Sequence, residues 1–356
     1  MHILSDIRKR RVENNLINGV RENIKKINNN RDLTSAQEKE IKQYWRDLLG
    51  IDIPLDWHRY FYKRTGLYSV KFIPTSLYYT DIIGRINQFP MNEAYTDKNI
   101  SYKLFPTEHQ PEVVIRNMNG YYYAKDTPVS KQKAVEICKN LDDILIKPTL
   151  RSHGDGVCKF YVKNGVTSIG GKTVEQLFDV YSSNFIIQKV VHQHPNMDAL
   201  NSSSVNTIRI LTYRSGDEIL LLYTVIRIGK QGAEIDNETA GGISTRINAD
   251  GTLCKFAFGA PGNDNVDKTD TGVVLDGYKI PSYEKAVDLA ERMHLHLPHF
   301  NLVGWDIAID LEGNPIIIEY NTWPELSQSA NGPAFGDYTE RIIKEIWDKP
   351  NTRVFY

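Results

Sequence analysis

The amino-acid sequence predicts an α+β protein in which two α+β units follow a helical and aromatic N-terminal region. Three segments lead to this prediction: a charged stretch of helical period at residues 1–50, a strand, glycine loop, hairpin, helix and strand at residues 144–191, and an apolar hairpin at residues 303–321. Strands and helices in this arrangement belong to the α+β layer class. The expected domains are residues 1–95, 96–200 and 201–356.

The bulk properties of the chain exclude several classes of protein. Its 356 residues allow a large core and about two or three domains, and a formal net charge of −1 does not indicate a nucleic-acid partner. No apolar run reaches the roughly 20 residues that span a bilayer, and the N-terminus lacks the apolar segment of a signal peptide. Three cysteines without paired spacing indicate a reducing compartment. We therefore expect a cytoplasmic protein.

The N-terminal region, residues 1–95, combines charged helices with an aromatic stretch. Ser35 and Glu38 predict a capping box ahead of a helix that ends near Gly50. Aromatic residues and prolines follow at residues 57–90, where the sequence does not establish the order of the elements.

The second unit, residues 96–200, is predicted to contain a phosphate-binding loop. The apolar strand at residues 144–148 carries Lys147 at its end, and a Gly-x-Gly loop follows it. Loop amides can surround phosphate oxygens while the ammonium group neutralises their charge. Helices are predicted to begin at Ser130 and at Thr173, and a second buried strand at residues 185–191.

The third unit, residues 201–356, contains two predicted hairpins, around residues 214–217 and 248–251, and helices that begin at Ser282 and near Asp337. Asn206 and Arg209 lie at the start of an otherwise apolar strand. A strand arginine needs an anionic partner, and a transferred phosphoryl group, a substrate carboxylate or a carboxylate of the chain itself would serve.

The hairpin at residues 303–321 has a register that can be predicted from its apolar residues. With Leu311–Asn314 as the loop, one face is entirely apolar, and a slip of one residue would place carboxylates against isoleucines. The predicted pairs are Gly304 with Asn321, Trp305 with Tyr320, Asp306 with Glu319, Ile307 with Ile318, Ile309 with Ile316 and Asp310 with Pro315.

This register places the carboxylates of Asp306 and Glu319 directly opposite each other, which is destabilising. A divalent cation would relieve the repulsion, because Mg²⁺ binds carboxylate and amide oxygens together with substrate phosphates. Two alternatives stay open: Asp306 pairs with an arginine, or one carboxyl group is protonated.

The sequence does not support a P-loop, a zinc site or a hydrolase nucleophile elbow. Gly165 to Thr173 resembles a P-loop, but its spacing fails by one residue and a turn precedes it. The histidine clusters at residues 192–194 and 294–299 lack a Cys or Glu at zinc-binding spacing. A Gly-x-Ser-x-Gly nucleophile elbow is also missing from the sequence.

Together these motifs resemble the ATP-grasp superfamily. Over residues 35–335 the chain is similar to the sugar-transfer-associated branch, which is found with bacterial polysaccharide biosynthesis. The segments that carry the resemblance are Asp97-Lys98, Ile146-Lys147-Pro148, Gly154-x-Gly156-Val157, Gln193-His194-Pro195, Ser204 to Arg209, Gly304-Trp305-Asp306 and Ile318 to Thr322.

The resemblance implies that ATP and Mg²⁺ are held between two α+β subdomains. The residues expected to bind ATP are Lys98, Lys147, Ser152, Gly154, Gly156, Gln188, Lys189, Val190 and Val191. The residues expected to bind Mg²⁺ are Asp306, Glu319 and Asn321. D-alanine–D-alanine ligases carry an arginine two residues before the first metal aspartate, but this chain has Gly304 there. Another arginine must then stabilise the transferred phosphoryl group. Arg209 is the first candidate and Arg227 and Arg246 are the next, and Asn206 is a further candidate catalytic residue.

The resemblance further implies a ligase that joins a carboxylate to an amine through an acylphosphate. Its substrate would be a bacterial surface polysaccharide, or its sugar precursor, modified with an amino acid or amine. A kinase for a sugar or metabolite hydroxyl, and a nucleotide-binding module without turnover, are the alternatives. The intact set of Lys147, Asp306, Glu319 and Asn321 argues against the last of these.

Overall fold

Two antiparallel sheets organise the computed structural model, which describes residues 2–151, 154–233, 236 and 240–353. The strands of the first sheet are β1 (Val113–Met118), β2 (Tyr121–Ala124), β3 (Thr127–Val129), β4 (Leu141–Pro148), β5 (Cys158–Lys163), β6 (Val166–Thr167) and β7 (Phe185–Lys189). Their spatial order is β3-β2-β1-β7-β4-β5-β6. The strands of the second sheet are β8 (Thr207–Ser215), β9 (Glu218–Ile228), β10 (Ile243–Arg246), β11 (Leu302–Ile309) and β12 (Pro315–Asn321). Their spatial order is β10-β9-β8-β11-β12.

Helices precede, connect and follow the two sheets. The α-helices are α1 (His2–Lys26), α2 (Ser35–Leu49), α3 (Asp56–Thr65), α4 (Thr75–Leu77), α5 (Ile83–Ile86), α6 (Asn92–Thr96), α7 (Lys98–Leu104), α8 (Lys131–Ile137), α9 (Val174–Tyr181), α10 (Pro195–Asp198), α11 (Tyr283–His294), α12 (Gln328–Asn331) and α13 (Thr339–Ile346). In the described part of the chain there are also a π-helical turn (Tyr78–Ile82) and 3-10 turns at Phe89–Met91, Thr107–His109 and Gly336–Tyr338. Within the described ranges, no helix combines the length and the apolar character needed to cross a membrane.

Helix starts test the predicted capping residues. Ser130, Thr173 and Ser282 precede α8, α9 and α11, so these three predictions are confirmed. The capping box of α2 is formed by Thr34 and Gln37, one residue before the predicted pair. The prediction was wrong because two polar residues in succession both satisfy the sequence pattern, and only the chain entering the helix selects one.

The first sheet buries one face and leaves the other to a cavity. Ile144 and Ile146 of β4 share a core with Phe178 of α9. Because side chains alternate along a strand, Lys147 lies on the opposite face. The predicted strand at residues 185–191 is two residues shorter than expected, since β7 ends at Lys189.

Both faces of the second sheet are covered, but by different layers. One face packs against α11, through Leu289 and Met293 among others. The other face packs against the N-terminal helices and α13; for example, Leu211 of β8 shares a core with Trp45 and Ile343. The N-terminal region therefore shares its core with the second sheet.

The organising hairpin, β11 and β12, confirms the predicted register over its first half. Gly304 pairs with Asn321, Trp305 with Tyr320 and Asp306 with Glu319. A β-bulge then shifts the register, so that Ile307 pairs with Ile317, Ala308 with Ile316 and Ile309 with Pro315. The predicted partners of Ile307, Ile309 and Asp310 are therefore wrong. The extra residue allows Ile317 to enter the core with Tyr320, while Ile318 stays outside it.

His294, at the end of α11, is buried in a polar chain across the core. Trp305 Nε1 donates to Thr212 Oγ1 at 2.9 Å, Thr212 Oγ1 lies 2.8 Å from His294 Nδ1, and His294 Nε2 lies 2.9 Å from the carbonyl oxygen of Phe300. A neutral ring with a proton on Nε2 satisfies every member of this chain. Burial lowers the pKa of His294 to about 4.

This histidine gives a prediction for the pH dependence of stability. Between pH 6.5 and 4, His294 is protonated in the unfolded chain but neutral in the folded protein. Its contribution to the free energy of unfolding therefore falls by about 1.4 kcal/mol per pH unit as the pH decreases. In His294→Gln this slope should be smaller by about 1.4 kcal/mol per pH unit, which corresponds to one proton. Urea unfolding at pH 7, 6 and 5 measures it, with the exposed His296→Gln as control. Equal slopes in the two variants would contradict the prediction.

Candidate functional site

A cavity of about 860 Å³ lies between the two sheets and the N-terminal region. The first sheet contributes Lys147 and Gln188 to its walls, and the second sheet contributes Arg209 and Glu319. The cavity thus brings together lysines and carboxylates that are distant in the sequence. A volume of this size lies within the usual range of small-molecule sites, roughly 300–1,000 Å³.

Lys147 is a buried cation on the wall of this cavity. Burial and the nearby charge of Lys98 lower its pKa to about 8, and the charge of Glu319 acts in the opposite direction. Its ammonium group makes no hydrogen bond to the described residues. A buried charge without a hydrogen-bonding partner is costly, so this position suits an anionic ligand.

Lys98 and the glycine loop lie at the edge of the same wall. The side chain of Asp97 caps α7, and the Nζ of Lys98 donates to the carbonyl oxygen of Arg151 at 2.8 Å. Gly154 and Gly156 have φ angles of 75° and 74°, a conformation that favours glycine. The predicted ATP ligand Ser152 and its neighbour His153 lie outside the described residues.

The floor of the cavity contains a buried ion pair between neighbouring strands. Asp306 of β11 is paired in register with Arg209 of β8. Arg209 Nε donates to Asp306 Oδ1 at 2.5 Å and Nη2 donates to Oδ2 at 2.9 Å, with Arg227 Nη1 3.5 Å from Oδ2. Burial opposes ionisation, but the charges of Arg209 and Arg227 hold the pKa of Asp306 below its ordinary value. Of the three alternatives for Asp306 (a cation, an arginine or a protonated carboxyl group), the structure shows the arginine.

Glu319 and Asn321 supply the oxygens that remain for a divalent cation. The carboxylate of Glu319 makes no hydrogen bond or ion pair with the described residues, and Asn321 Nδ2 lies 3.5 Å from Asp306 Oδ2. No group of three or more His, Cys, Asp or Glu side chains suited to a metal occurs in the described part of the chain. Mg²⁺ commonly uses one or two carboxylates and completes its shell with water and substrate phosphates. This donor set fits that pattern.

Gly304 packs closely against Pro324. A Cβ atom at position 304 would lie 2.8 Å from Pro324 Cβ and 3.6 Å from Arg209 Cδ. There is consequently no room for a side chain at the position where D-alanine–D-alanine ligases carry arginine, and the stem of Arg209 passes beside it.

Several predicted site residues lie elsewhere. Gln188 lines the cavity, and its buried Oε1 has no hydrogen-bond partner. Val190 and Val191 follow β7 and line a second cavity of about 670 Å³, and the Nζ of Lys189 donates to the carbonyl oxygen of Asp142 at 3.2 Å. Of the four predicted ATP-binding residues at positions 188–191, only Gln188 lines the main cavity, and the contact of all four with ATP stays a prediction.

Two of the residues predicted to be catalytic do not line this cavity. Asn206 is fully buried behind the cavity, where its Nδ2 donates to Gln193 and to the carbonyl oxygens of Met197 and Asn201. Arg246 is exposed at the end of β10 and does not line the cavity. Asn206 precedes β8, and Arg246 lies on the edge strand β10, two strands away from Arg209, so closeness in sequence or in sheet order does not bring either side chain to the cavity.

The N-terminal region provides an aromatic wall that the sequence did not place. Trp57, Tyr79 and Trp323 line the cavity together with Glu325. The aromatic stretch at residues 57–90 was the available signal. Its contact with the loop after β12 spans more than 200 residues, and local patterns contain no information about such a contact.

Two antiparallel sheets enclose a cavity, with Lys147 on one sheet and Glu319 on the other. This is the arrangement expected of the ATP-grasp superfamily. The model of the sugar-transfer associated ATP-grasp family matches residues 79–342, more than half of the chain. The chain belongs to this family.

Individual relatives are more distant. A trigger factor from Chlorobium chlorochromatii (strain CaD3) is 27% identical over 169 residues, which cover 46% of this chain and 36% of the relative. An ADP complex of N5-carboxyaminoimidazole ribonucleotide synthetase is 12% identical, with 75% and 55% of the two chains covered and a TM-score of 0.41. D-alanine–D-alanine ligase from Bacillus anthracis is 14% identical, with 71% and 67% covered and a TM-score of 0.37. The chain thus spans about a third of the trigger factor and about half of the synthetase.

The crowding at Gly304 leads to a prediction that needs no ligand. Gly304→Ala should destabilise the protein by about 1–3 kcal/mol, because the new methyl group meets the rigid ring of Pro324. Gly19→Ala is the control: the Cβ site at this helical glycine has no atom within 4 Å, so alanine should stabilise by about 0.5–1 kcal/mol. Urea denaturation of both variants checks the difference. A Gly304→Ala protein as stable as the wild type would refute the packing argument.

Proposed function

We propose that the protein is a Mg²⁺- and ATP-dependent ligase that joins a carboxylate to an amine through an acylphosphate. The observation that carries this proposal is the facing arrangement of Lys98 and Lys147 on one wall of the cavity and Glu319 on the other. Two ammonium groups suit a polyphosphate, and a carboxylate without a protein partner suits the cation that accompanies it. Membership of the ATP-grasp family supports the same assignment.

In this proposal the phosphates of ATP lie against Lys147 and Lys98, under the loop that contains Gly154 and Gly156. Gln188 and Ile318 line the adjoining part of the cavity, where the unpaired amide oxygen of Gln188 can accept a hydrogen bond from the adenine amino group. Mg²⁺ is held by Glu319 and Asn321, with Asp306 behind them, and it neutralises charge on the phosphates when bound.

The reaction has two steps on this site. A carboxylate oxygen of the first substrate attacks the γ-phosphorus, the bond to the β–γ bridging oxygen breaks, and ADP leaves with that electron pair. The amine of the second substrate then attacks the acyl carbon, phosphate leaves, and the nitrogen loses a proton. Arg209 and Arg227 line the cavity beside the reacting groups. Their fixed positive charges stabilise the negative charge on the transferred phosphoryl group and position the carboxylate.

The family description, which names sugar transfer, supports a sugar-linked substrate. A uronic acid in a bacterial surface polysaccharide, or its precursor, would supply the carboxylate, and an amino acid or amine would supply the nucleophile. Cys138, Cys158 and Cys254 are all free, which suits the cytoplasm, where thiols stay reduced.

Lys147 gives the first functional prediction. Lys147→Ala should weaken ATP binding about tenfold to a hundredfold, because charge-assisted hydrogen bonds contribute about 1.5–3 kcal/mol each. Since the pKa of Lys147 is lowered to about 8, the wild-type affinity should fall as the pH rises above 8, and this fall should be absent in the variant. Calorimetric titration from pH 7 to 9.5 measures both effects. Lys163→Ala, an exposed lysine of the same sheet, is the control, and unchanged affinity in Lys147→Ala would remove Lys147 from the site.

The reaction type is tested by trapping. With ATP, Mg²⁺, hydroxylamine and a panel of carboxylates that includes uronic acids, the wild type should release ADP and form a hydroxamate, which mass spectrometry identifies. Glu319→Gln is nearly isosteric and should keep the fold but lose this turnover, whereas Glu312→Gln, on the exposed hairpin loop, should retain it. A stable phosphorylated acceptor without hydroxamate would replace the ligase with a kinase. Full turnover in Glu319→Gln would refute the metal assignment.

A further inference from the structure

We propose that Glu325, with the aromatic rings of Tyr79 and Trp323, forms the subsite that binds the amine substrate as its ammonium ion. The inference rests on the proposed ligase function and assigns the second substrate to particular residues. All three residues line the cavity between the sheets. They come from the N-terminal region and from the loop after β12, so neither segment forms the subsite alone.

The backbone that carries Glu325 is held in place. Tyr78 Oη donates to the carbonyl oxygen of Pro324 at 2.7 Å, and Tyr223 Oη donates to that of Glu325 at 3.4 Å. The backbone amide of Ser327 in turn donates to Tyr223 Oη at 2.9 Å. These bonds tie the loop to the N-terminal region on one side and to β9 on the other, so the subsite is built before a ligand arrives.

The aromatic side of the subsite is equally ordered. The rings of Tyr79 and Trp323 meet edge to face at 5.8 Å, and Phe89 meets Trp323 at 4.7 Å. The guanidinium of Arg353 lies 4.3 Å from the centroid of Trp323, so this indole already takes part in one cation–π interaction. Rings of this kind attract ammonium groups through their negative faces.

Glu325 provides the negative charge. Its carboxylate makes no hydrogen bond or ion pair with the described residues. Its charge does affect the phenols of Tyr79 and Tyr223. The pKa of Tyr79 is raised, first by burial and then by the charge of Glu325, whereas the charge of Arg209 acts in the opposite direction. Tyr223 also senses both charges. Glu325, Arg209 and both phenols belong to the region around the cavity, where the charge of Glu325 raises the pKa of Tyr79 and Tyr223 and the charge of Arg209 lowers it.

This layout separates the two substrates by charge. The carboxylate substrate is drawn to Arg209 and Arg227, and the ammonium is drawn to the pair of Glu325 and the aromatic rings. A second anion is disfavoured beside Glu325, and a neutral hydroxyl compound gains little from its charge. Opposite charges thus favour binding of the acid and the amine in different parts of one cavity.

Binding of D-glucosamine, compared with D-glucose, tests the subsite on the full-length protein. The two sugars differ by an ammonium group in place of a hydroxyl group. Calorimetric titration should show that the wild type and the Glu312→Gln control bind glucosamine about tenfold to a hundredfold more tightly than glucose. Glu325→Gln should lose this preference while it binds ATP with unchanged affinity, which shows that the variant is folded.

Equal affinity for the two sugars in the wild type, or an unchanged preference in Glu325→Gln, would overturn the inference. This readout is independent of turnover. If no hydroxamate forms in the trapping experiment but Glu325 still determines glucosamine binding, the ligase assignment fails and the ammonium subsite stands. If hydroxamate forms and Glu325 has no effect, only the subsite fails.

Discussion

The ion pair between Arg209 and Asp306 is the constraint on which the rest of the site depends. Asp306 is buried in the middle of the second sheet, and an unpaired carboxylate there would be strongly destabilising. The pairing of β8 with β11 places the arginine directly beside it, and Arg209 donates two hydrogen bonds to its carboxylate. Arg209 thus compensates the charge of Asp306. The carboxylate of Glu319, on the next strand, has no hydrogen-bond or ion-pair partner among the described residues.

The second sheet serves two purposes with one face. Leu211, two residues after Arg209 on β8, lies in the core formed with the N-terminal helices, while Arg209 itself lies in the cavity. The helical layer thus excludes water from one part of the face and ends where the charged residues begin. The N-terminal region stabilises the sheet and also supplies an aromatic wall of the site.

The charges of the cavity are arranged in zones rather than mixed. Lys147 lies on the first sheet and Lys98 at the start of α7, Glu319 and the two arginines lie on the second sheet, and Glu325 lies on the loop beside the aromatic wall. Because Lys147 is buried and its pKa is lowered, an anionic ligand would stabilise its charged form and link the two sheets. Zones of opposite sign favour substrates of opposite charge in neighbouring positions.

The sequence by itself determined what depends on local periodicity. The pairing of Asp306 with Glu319 and the strand that presents Lys147 follow from alternating apolar residues. The caps at Ser130 and Thr173 follow from polar side chains next to the helix starts. The tertiary structure decided the β-bulge at Ile318, the removal of Asn206 and Arg246 from the cavity, and the meeting of Tyr79 with Trp323. These features arise from packing between segments far apart in the chain. A local sequence pattern cannot predict such a contact, because its energy depends on both segments.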